Sequence, residues 1–182
     1  RLSIQAGTAL IYPLSTMGAH VSDCPNHTVG RTTPFETRGY VALAGTFGYE
    51  LDVTKIPEAD RNRIPEQVAM YHKYNDLVRQ GDYYRIAHYA DNHFYDCYAV
   101  VAKDQSEALV TYVQVLGRPN VHSRRICIPG LDPEKTYVIE NAADWPEIRQ
   151  TAYRGDTLHY AGIHVPPISG DFKARIMHLK EK

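Results

Sequence analysis

The spacing of hydrophobic positions divides the chain into two unlike parts. Up to residue 80, apolar residues recur mainly at helical spacing, and from Tyr83 onward they fall in short strand-like runs separated by turn signals. The change occurs at Gly81-Asp82. This pattern predicts an α/β segment over residues 1–82, followed by an all-β domain over residues 83–182.

The first part is predicted to contain one strand among helices. The pattern favours a helix over residues 1–12, a buried strand over about 16–22, a short turn over 57–63 and a main helix over about 65–79. A stripe of apolar residues supports the last helix: Ile64, Val68, Tyr71 and Val78. Pro65 interrupts this stripe, and Gly81 is well placed as the C′ residue of the helix.

The segment Thr33-Pro34-Phe35-Glu36 resembles the start of a helix. Threonine as N-cap, proline at the first helical position and glutamate at the third would form a capping box. The helix is predicted to continue through RGYVALAGTF. Gly39 and Gly45 inside it weaken a helix by about 1 kcal/mol each, which indicates close packing against a neighbour.

The second part is expected to form an antiparallel sandwich with its own core. The strand-like runs are HFYDCYAVVA, ALVTYVQVL, RRICIP, KTYVIE and FKARIMHL, and Asp132-Pro133-Glu134-Lys135 is typical of a type I turn. Cys97 and Cys127 should remain unpaired and pack as small apolar groups. Ten residues at alternating strand positions should have inward-facing members that meet between two sheets: Tyr98, Val100, Leu109, Thr111, Val113, Val115, Tyr137, Ile139, Ile176 and His178.

One parallel strand with flanking helices cannot complete a sheet, because a strand buried on both sides needs neighbours. Residues 1–82 are therefore interpreted as the last piece of a larger α/β domain, with an unusually apolar surface. The first helix begins at Arg1 without a capping residue before it, which is what a fragment of a longer chain would show.

Composition excludes several classes of protein. The 182 residues include 20 Lys+Arg and 21 Asp+Glu, a balance that argues against a nucleic-acid binder. No apolar run approaches the roughly 20 residues that span a bilayer. Three cysteines, an odd number, favour free thiols in a reducing compartment. Fourteen tyrosines suit either a sugar-binding protein or half-buried strands.

The densest polar cluster follows the first predicted strand. His20, Cys24 and His27 are metal-ligand types within eight residues, and Cys24 with either histidine could form a nucleophile pair. Ordinary loop and strand-end roles are the favoured alternative. Along a strand, His20 and Ser22 share a face, so they could point to the mouth of a barrel, although His20 could equally be a core histidine.

Other catalytic signatures are weak. The carboxylates of Glu50 and Asp52, placed near a helix end, and of Asp91 and Asp96, placed at a strand start, are interpreted as caps, turns or surface groups. No glycine-rich phosphate loop and no G-x-S-x-G elbow occurs.

Several long motifs nevertheless carry a specific resemblance. The run YPLSTMGAHVSDCPNHTVGRTTPFETRGYVALAGTFGYELDV is similar to the C-terminal part of family-36 glycoside hydrolases, the melibiase-type α-galactosidases, as are YHKYNDLVRQGDYYRI, EALVTYVQVL, IPGLDPEKTYVIE and GDFKARIMHLKE. The resemblance covers essentially the whole chain. It implies that residues 1–82 are the end of a (β/α)8 catalytic barrel and that residues 83–182 are the C-terminal β-sandwich domain.

The resemblance also implies a function. The parent would be a retaining α-galactosidase that hydrolyses melibiose- and raffinose-type α-galactosides. No catalytic residue would lie in this chain, because both family aspartates precede Arg1, so the chain alone should be inactive. The substrate-proximal candidates near the galactose pocket are His20, Ser22, Pro25 and Asn26.

Expectations about partners and location have two sources. Composition and spacing favour no metal, nucleic acid or membrane partner and a cytoplasmic location, and the resemblance implies a homotetrameric parent. We expect no cofactor. The alternative is a non-catalytic β-sandwich with a structural, oligomerisation or carbohydrate-binding role.

Overall fold

A computed structural model describes residues 1–182. The α-helices are α1 (Leu2–Thr8), α2 (Phe35–Ala42), α3 (Glu58–Arg61), α4 (Ile64–Gln80), α5 (Tyr89–Asn92) and α6 (Gly155–Tyr160), with 3-10 turns at Leu14–Thr16 and Ala142–Asp144. The strands are β1 (Gly18–Ser22), β2 (Thr46–Glu50), β3 (Asp82–Ala87), β4 (Tyr95–Val101), β5 (Glu107–Gln114), β6 (Arg124–Ile126), β7 (Thr136–Ile139), β8 (Ala152–Arg154), β9 (Ile163–Val165) and β10 (Lys173–Glu181).

The first part contains a β-α-β unit rather than a single strand. β1 and β2 pair in parallel, with Gly18 opposite Thr46 and Ser22 opposite Glu50, and α2 connects them. The prediction that α2 continues through residues 43–47 is wrong. A β-carbon on Gly45 would lie 2.5 Å from the carbonyl oxygen of Met17, so this close approach lets the chain turn directly into β2.

The predicted capping box does not form. Pro34 occupies the N-cap position of α2, and no side chain caps the helix. The carboxylate of Glu36 instead accepts a hydrogen bond from Arg63 at 3.1 Å. The backbone carbonyl of Thr33 accepts a hydrogen bond at 3.1 Å from Nε of Arg38, which lies in α2 itself, so neither residue caps the helix through its side chain.

Two further helix predictions need correction. α1 ends at Thr8 rather than near residue 12. Pro65 does not interrupt α4, because it lies in the first helical turn, where the backbone N–H has no intrahelical partner to lose. Gly81 is extended (φ −73°) rather than left-handed. Its lack of a side chain matters because a β-carbon would lie 2.7 Å from the carbonyl oxygens of Leu77 and Val101.

The second part is an antiparallel sheet with the strand order β3-β4-β5-β10-β7-β8, and the two-stranded sheet β6-β9 covers one of its faces. The predicted turn is present, with the amide of Lys135 donating to the carbonyl of Asp132 at 3.3 Å. The largest apolar cluster lies between the two sheets and includes Ala99, Val110, Ile126, Ile128, Tyr137, Ile139, Trp145, Ile163, Met177 and Leu179.

The opposite face of the large sheet packs against the helices of the first part. Val100, Leu109 and Ile176 form a cluster with residues such as Leu43 and Leu77. β4 and β5 are therefore buried on both faces along nearly their whole length. A strand covered on both sides has an almost continuous apolar run, so alternation could not identify its inward face.

This double burial corrects the predicted sandwich core. Tyr137 and Ile139 do lie between the sheets. Val115 lies just beyond the end of β5. The remaining seven residues of the predicted set occupy the face towards the helices: Tyr98, Val100, Leu109, Thr111, Val113, Ile176 and His178.

The cysteines behave differently from one another. All three thiols are free. Cys97 is completely buried in the cluster between the sheets, and this burial raises the pKa of its thiol. Cys127 is exposed, so the prediction that it packs as an apolar group is wrong.

Large apolar side chains are exposed mainly in the first part of the chain, as expected. Six of the eight such residues lie in residues 1–82: Ile4, Leu10, Ile11, Tyr12, Val29 and Val53. None of the helices has the length and apolar character needed to cross a membrane.

Candidate functional site

The candidate site lies at the carboxyl ends of β1 and β2. Gly18, His20 and Ser22 are the more exposed residues of β1, whereas Ala19 and Val21 are buried. The predicted sharing of one strand face is confirmed. The alternative of a core histidine is wrong, because nearly half of the His20 side chain is exposed.

Two glycines make room for the His20 imidazole. Its Cε1 and Nε2 atoms lie 3.5 Å from the position that a β-carbon on Gly18 would occupy, and its Cδ2 lies 3.5 Å from that position at Gly48. Gly48 is the register partner of His20 on β2. The ring therefore lies over a part of the strand pair that carries no side chains of its own.

Glu50 joins the two strand ends. Its Oε2 accepts a hydrogen bond from Ser22 Oγ at 3.3 Å and lies 3.6 Å from His20 Nδ1. The Arg1 guanidinium donates to the same Ser22 oxygen. The group Arg1, His20, Ser22 and Glu50 thus combines two cationic or titratable donors, a hydroxyl and a carboxylate, which are the side-chain types that bind sugar hydroxyls.

The sequence pattern does not single out Glu50 as a site residue, because it predicts a helix end at that position. Glu50 is the last residue of β2, and 28 positions separate it from Ser22. The β-branched and aromatic residues of TFGYE are a weak signal for a strand, but only the register with β1 sets this carboxylate beside Ser22.

The loop after β1 is shaped by Asn26. The Oδ1 atom of Asn26 accepts hydrogen bonds from the amides of Thr28 and Val29 at 3.1 and 3.0 Å. The backbone amide of Asn26 donates to the carbonyl of Arg31 at 2.9 Å. Pro25, which follows a cis peptide bond, is exposed in the same loop. The side-chain oxygen of Asn26 is therefore bonded to the backbone, whereas its side-chain Nδ2 remains available to donate hydrogen bonds to a ligand.

Arg38 ties both ends of this loop to α2. Its guanidinium donates to the carbonyl of Ser22 at 2.6 Å and to that of Thr33 at 3.1 Å, and it lies 3.5 Å from Asp60. Only 12% of the Arg38 side chain is exposed. Hydrogen bonds from a largely buried cation are stronger than neutral ones, so Arg38 fixes where the loop leaves and rejoins the framework.

The metal and nucleophile hypotheses find no support in the geometry. No group of three His, Cys, Asp or Glu side chains is arranged to hold a metal ion. The Cys24 sulfur instead accepts a hydrogen bond from the amide of Thr33 at 3.4 Å. His20 contacts Glu50 rather than this thiol.

The other carboxylates have local roles. Asp52 accepts hydrogen bonds from the hydroxyl and the amide of Thr54, which lower its pKa to about 2. Asp91 is exposed on α5. Asp96 accepts from the amide of Tyr89, as a cap would. It is only 3% exposed, so its interpretation as a surface group is wrong, and burial raises its pKa.

Comparison with known proteins covers almost the whole chain. Residues 1–81 match the family model described as Melibiase, and residues 95–179 match that of the glycosyl hydrolase family 36 C-terminal domain. The α-galactosidase AgaA of Geobacillus stearothermophilus is 42% identical over 99% of this chain and 24% of its own length. The α-galactosidase Mel36A of Lactobacillus acidophilus is 38% identical over 99% of this chain and 23% of its own length.

Solved structures agree with these relatives. A variant of AgaA in complex with raffinose superposes with a TM-score of 0.91 and 41% identity, covering 100% of this chain and 24% of that one. The chain thus spans about a quarter of the length of these relatives. With both family models and these relatives in agreement along its length, the chain belongs to glycoside hydrolase family 36.

Proposed function

We propose that this chain is the C-terminal part of a retaining α-galactosidase that hydrolyses terminal α-galactosides of the melibiose and raffinose type. The observation that carries the proposal is the polar face of the β1–β2 pair, where His20, Ser22 and Glu50 meet at the carboxyl ends of two parallel strands. Active sites of (β/α)8 barrels are built at that end of the strands. The similarity to AgaA, Mel36A and the raffinose complex supports the substrate class.

In this proposal, residues 1–82 supply the last two strands of the barrel and residues 83–182 form the C-terminal β-sandwich domain. Two features support it. β1 and β2 form a parallel β-α-β unit in which each strand has a single neighbour. The two matched family models cover residues 1–81 and 95–179, one on each side of the proposed boundary.

The chain would contribute binding groups rather than the catalytic pair. The imidazole of His20 and the hydroxyl of Ser22 would meet sugar hydroxyls, and Pro25 and Asn26 would form the adjacent loop wall. Retaining hydrolysis needs a carboxylate nucleophile and a second carboxyl acid/base about 5–5.5 Å apart. The family resemblance assigns both to aspartates outside these residues, in barrel segments that precede this one.

The test is a pair of assays with an aryl α-galactoside. The full-length enzyme that contains this chain should release the phenol and produce α-galactose as the first anomer, observed by proton NMR. The 182-residue chain alone should give no turnover above a heat-inactivated sample. Initial release of β-galactose by the full-length enzyme would overturn the retaining mechanism, and turnover by the chain alone would overturn the placement of the catalytic pair.

The proposal extends to assembly and location. A homotetramer in the cytoplasm fits the three free thiols and the family resemblance. Light scattering of the full-length enzyme and fractionation of cells expressing it would test these two points.

A further inference from the structure

The loop after β1 touches the antiparallel domain through an arginine and an aromatic ring. The guanidinium carbon of Arg31 lies 5.3 Å from the centroid of the Phe172 ring. Arg31 belongs to the loop that carries Pro25 and Asn26, and Phe172 directly precedes β10. The contact therefore joins the candidate substrate loop to the other part of the chain.

We propose that Phe172 is a positioning residue, which holds the loop of residues 23–33 beside the galactoside through Arg31. This inference rests on the proposed function, because it assumes that the loop lines the sugar site. It assigns the antiparallel domain a part in substrate binding, although that domain would otherwise serve only to cover the barrel helices.

The first step of the argument is that Arg31 controls the shape of the loop. The carbonyl of Arg31 accepts the backbone amide of Asn26 at 2.9 Å, and the amide of Gly30 donates to the carbonyl of Asn26 at 2.8 Å. These two bonds close the outer part of the loop, residues 26–31. A shift of Arg31 would therefore move Asn26 directly, since the two residues share a hydrogen bond.

The second step is that Phe172 is held in an unfavourable backbone conformation. Its φ is 52°, in the left-handed region, where a bulky side chain is a true outlier. Its amide donates to the carbonyl of Val115 at 3.2 Å. Such strain persists only where surrounding contacts enforce it, and it is concentrated at functional positions.

The third step is that the preceding segment supplies those contacts. The buried Gln114 side chain donates to the carbonyls of Ile168 and Gly170 at 2.7 and 2.6 Å. The carboxylate of Asp171 accepts the amide of Gly117 at 2.6 Å. Because its backbone is held at these points, the Phe172 ring has a fixed position. Arg31 can therefore contact it with little additional loss of conformational entropy.

The strength of this contact sets the expected effect. Arg31 is exposed and Phe172 is partly buried, so their cation–π attraction is of the weaker, solvated kind. Its loss corresponds to about a two- to fivefold change in the population of the closed loop. The effect should therefore appear in substrate binding rather than in the chemical step.

The experiment uses the full-length enzyme that contains this chain and two readouts. In Phe172→Ala, amide hydrogen exchange at Asn26 and Gly30 should become about two- to fivefold faster, and KM for an aryl α-galactoside should rise by a similar factor with kcat nearly unchanged. Phe172→Tyr retains the ring and should restore both values. Arg31→Met removes the cation from the other side of the contact and should give the same changes in exchange and KM as Phe172→Ala. It tests the contact independently if Phe172→Ala fails to fold.

A matched control removes an aromatic ring elsewhere in the same domain. Tyr160 is 81% exposed, and Tyr160→Ala should leave the exchange of the loop unchanged. Unchanged exchange in both Phe172→Ala and Arg31→Met would show that the Arg31–Phe172 contact does not hold the loop. Faster exchange with unchanged KM would overturn the role in substrate binding while leaving the proposed function intact. Absence of turnover by the unaltered enzyme would instead refute the proposed function. The exchange data would still report on the Arg31–Phe172 contact, so the two failures are distinguishable.

Discussion

The Nε2 atom of His178 lies 2.7 Å from Oε2 of Glu107, directly beneath helix α4. The two residues belong to the neighbouring strands β10 and β5. The rings of His178 and of Tyr74 on α4 meet in a T-shaped arrangement, with an interplanar angle of 78° and centroids 5.1 Å apart. His178 is 5% exposed, so this polar pair is part of the contact between the helical segment and the sheet.

Replacing His178 should therefore weaken the contact between the two parts. His178→Ala removes the ring that packs on Tyr74 and leaves the Glu107 carboxylate without its partner, at an expected cost of about 1–3 kcal/mol in the free energy of unfolding. Urea denaturation followed by circular dichroism measures the difference. The exposed His164 is the matched control, and His164→Ala should change stability by less than about 0.5 kcal/mol. Equal effects of the two substitutions would contradict the structural role of His178.

Gly39 should tolerate no side chain, because Gln67 fills the space beside it. A β-carbon there would lie 2.6 Å from Cδ of Gln67. The Gln67 amide donates to the carbonyl of Phe35 and accepts from the Tyr49 hydroxyl, each at 3.0 Å. Gly39→Ala would disrupt these buried bonds and should cost about 1–3 kcal/mol, despite the gain in helix propensity.

A second helical glycine provides the control for that substitution. Gly7 in α1 has no atom within 4 Å of the position of a β-carbon. Gly7→Ala should stabilise the protein by up to about 1 kcal/mol, since only the helix propensity changes. Thermal unfolding of both variants gives the comparison, and stabilisation by Gly39→Ala would show that Gln67 can move away without loss.

Neutralising Glu50 should impair substrate binding in the full-length enzyme. Glu50→Gln keeps the shape of the side chain but removes the charge that faces Ser22 and His20. We expect an increase in KM of about three- to tenfold, corresponding to the loss of one or two charge-assisted contacts in a partly exposed site. The exposed Glu58→Gln serves as the control at a carboxylate outside the site. Unchanged KM in Glu50→Gln would exclude this carboxylate from sugar binding.

The carboxyl group of Asp52 should titrate at unusually low pH. Hydrogen bonds from Thr54 to the carboxylate lower its pKa to about 2, below the usual value near 3.9. A depressed folded-state pKa means that the turn is favoured above about pH 3.9 and that this contribution is lost as the pH falls towards 2. An NMR titration of the Asp52 carboxyl carbon measures the value directly. Thr54→Val should raise it, and an unchanged titration would assign the shift to another cause.

Local patterns along the chain were sufficient for several elements. The long helix α4, which ends at Gln80, and the antiparallel strands that begin at Asp82 both follow from hydrophobic periodicity, which acts over a few residues. The alternation along β1 likewise placed His20 and Ser22 on one exposed face. The long sequence motifs were by themselves specific enough to indicate the family.

Contacts between distant residues decided the rest. β2 follows a helix in a run too short for its period to be recognised, and it becomes a strand because β1 offers hydrogen bonds along Gly18–Ser22. The inward face of β4 and β5 could not be read from alternation, because helices cover one side and the small sheet covers the other. Glu50 meets Ser22 across 28 residues, and Arg31 meets Phe172 across 141, and such pairings depend on how the layers pack rather than on neighbouring residues.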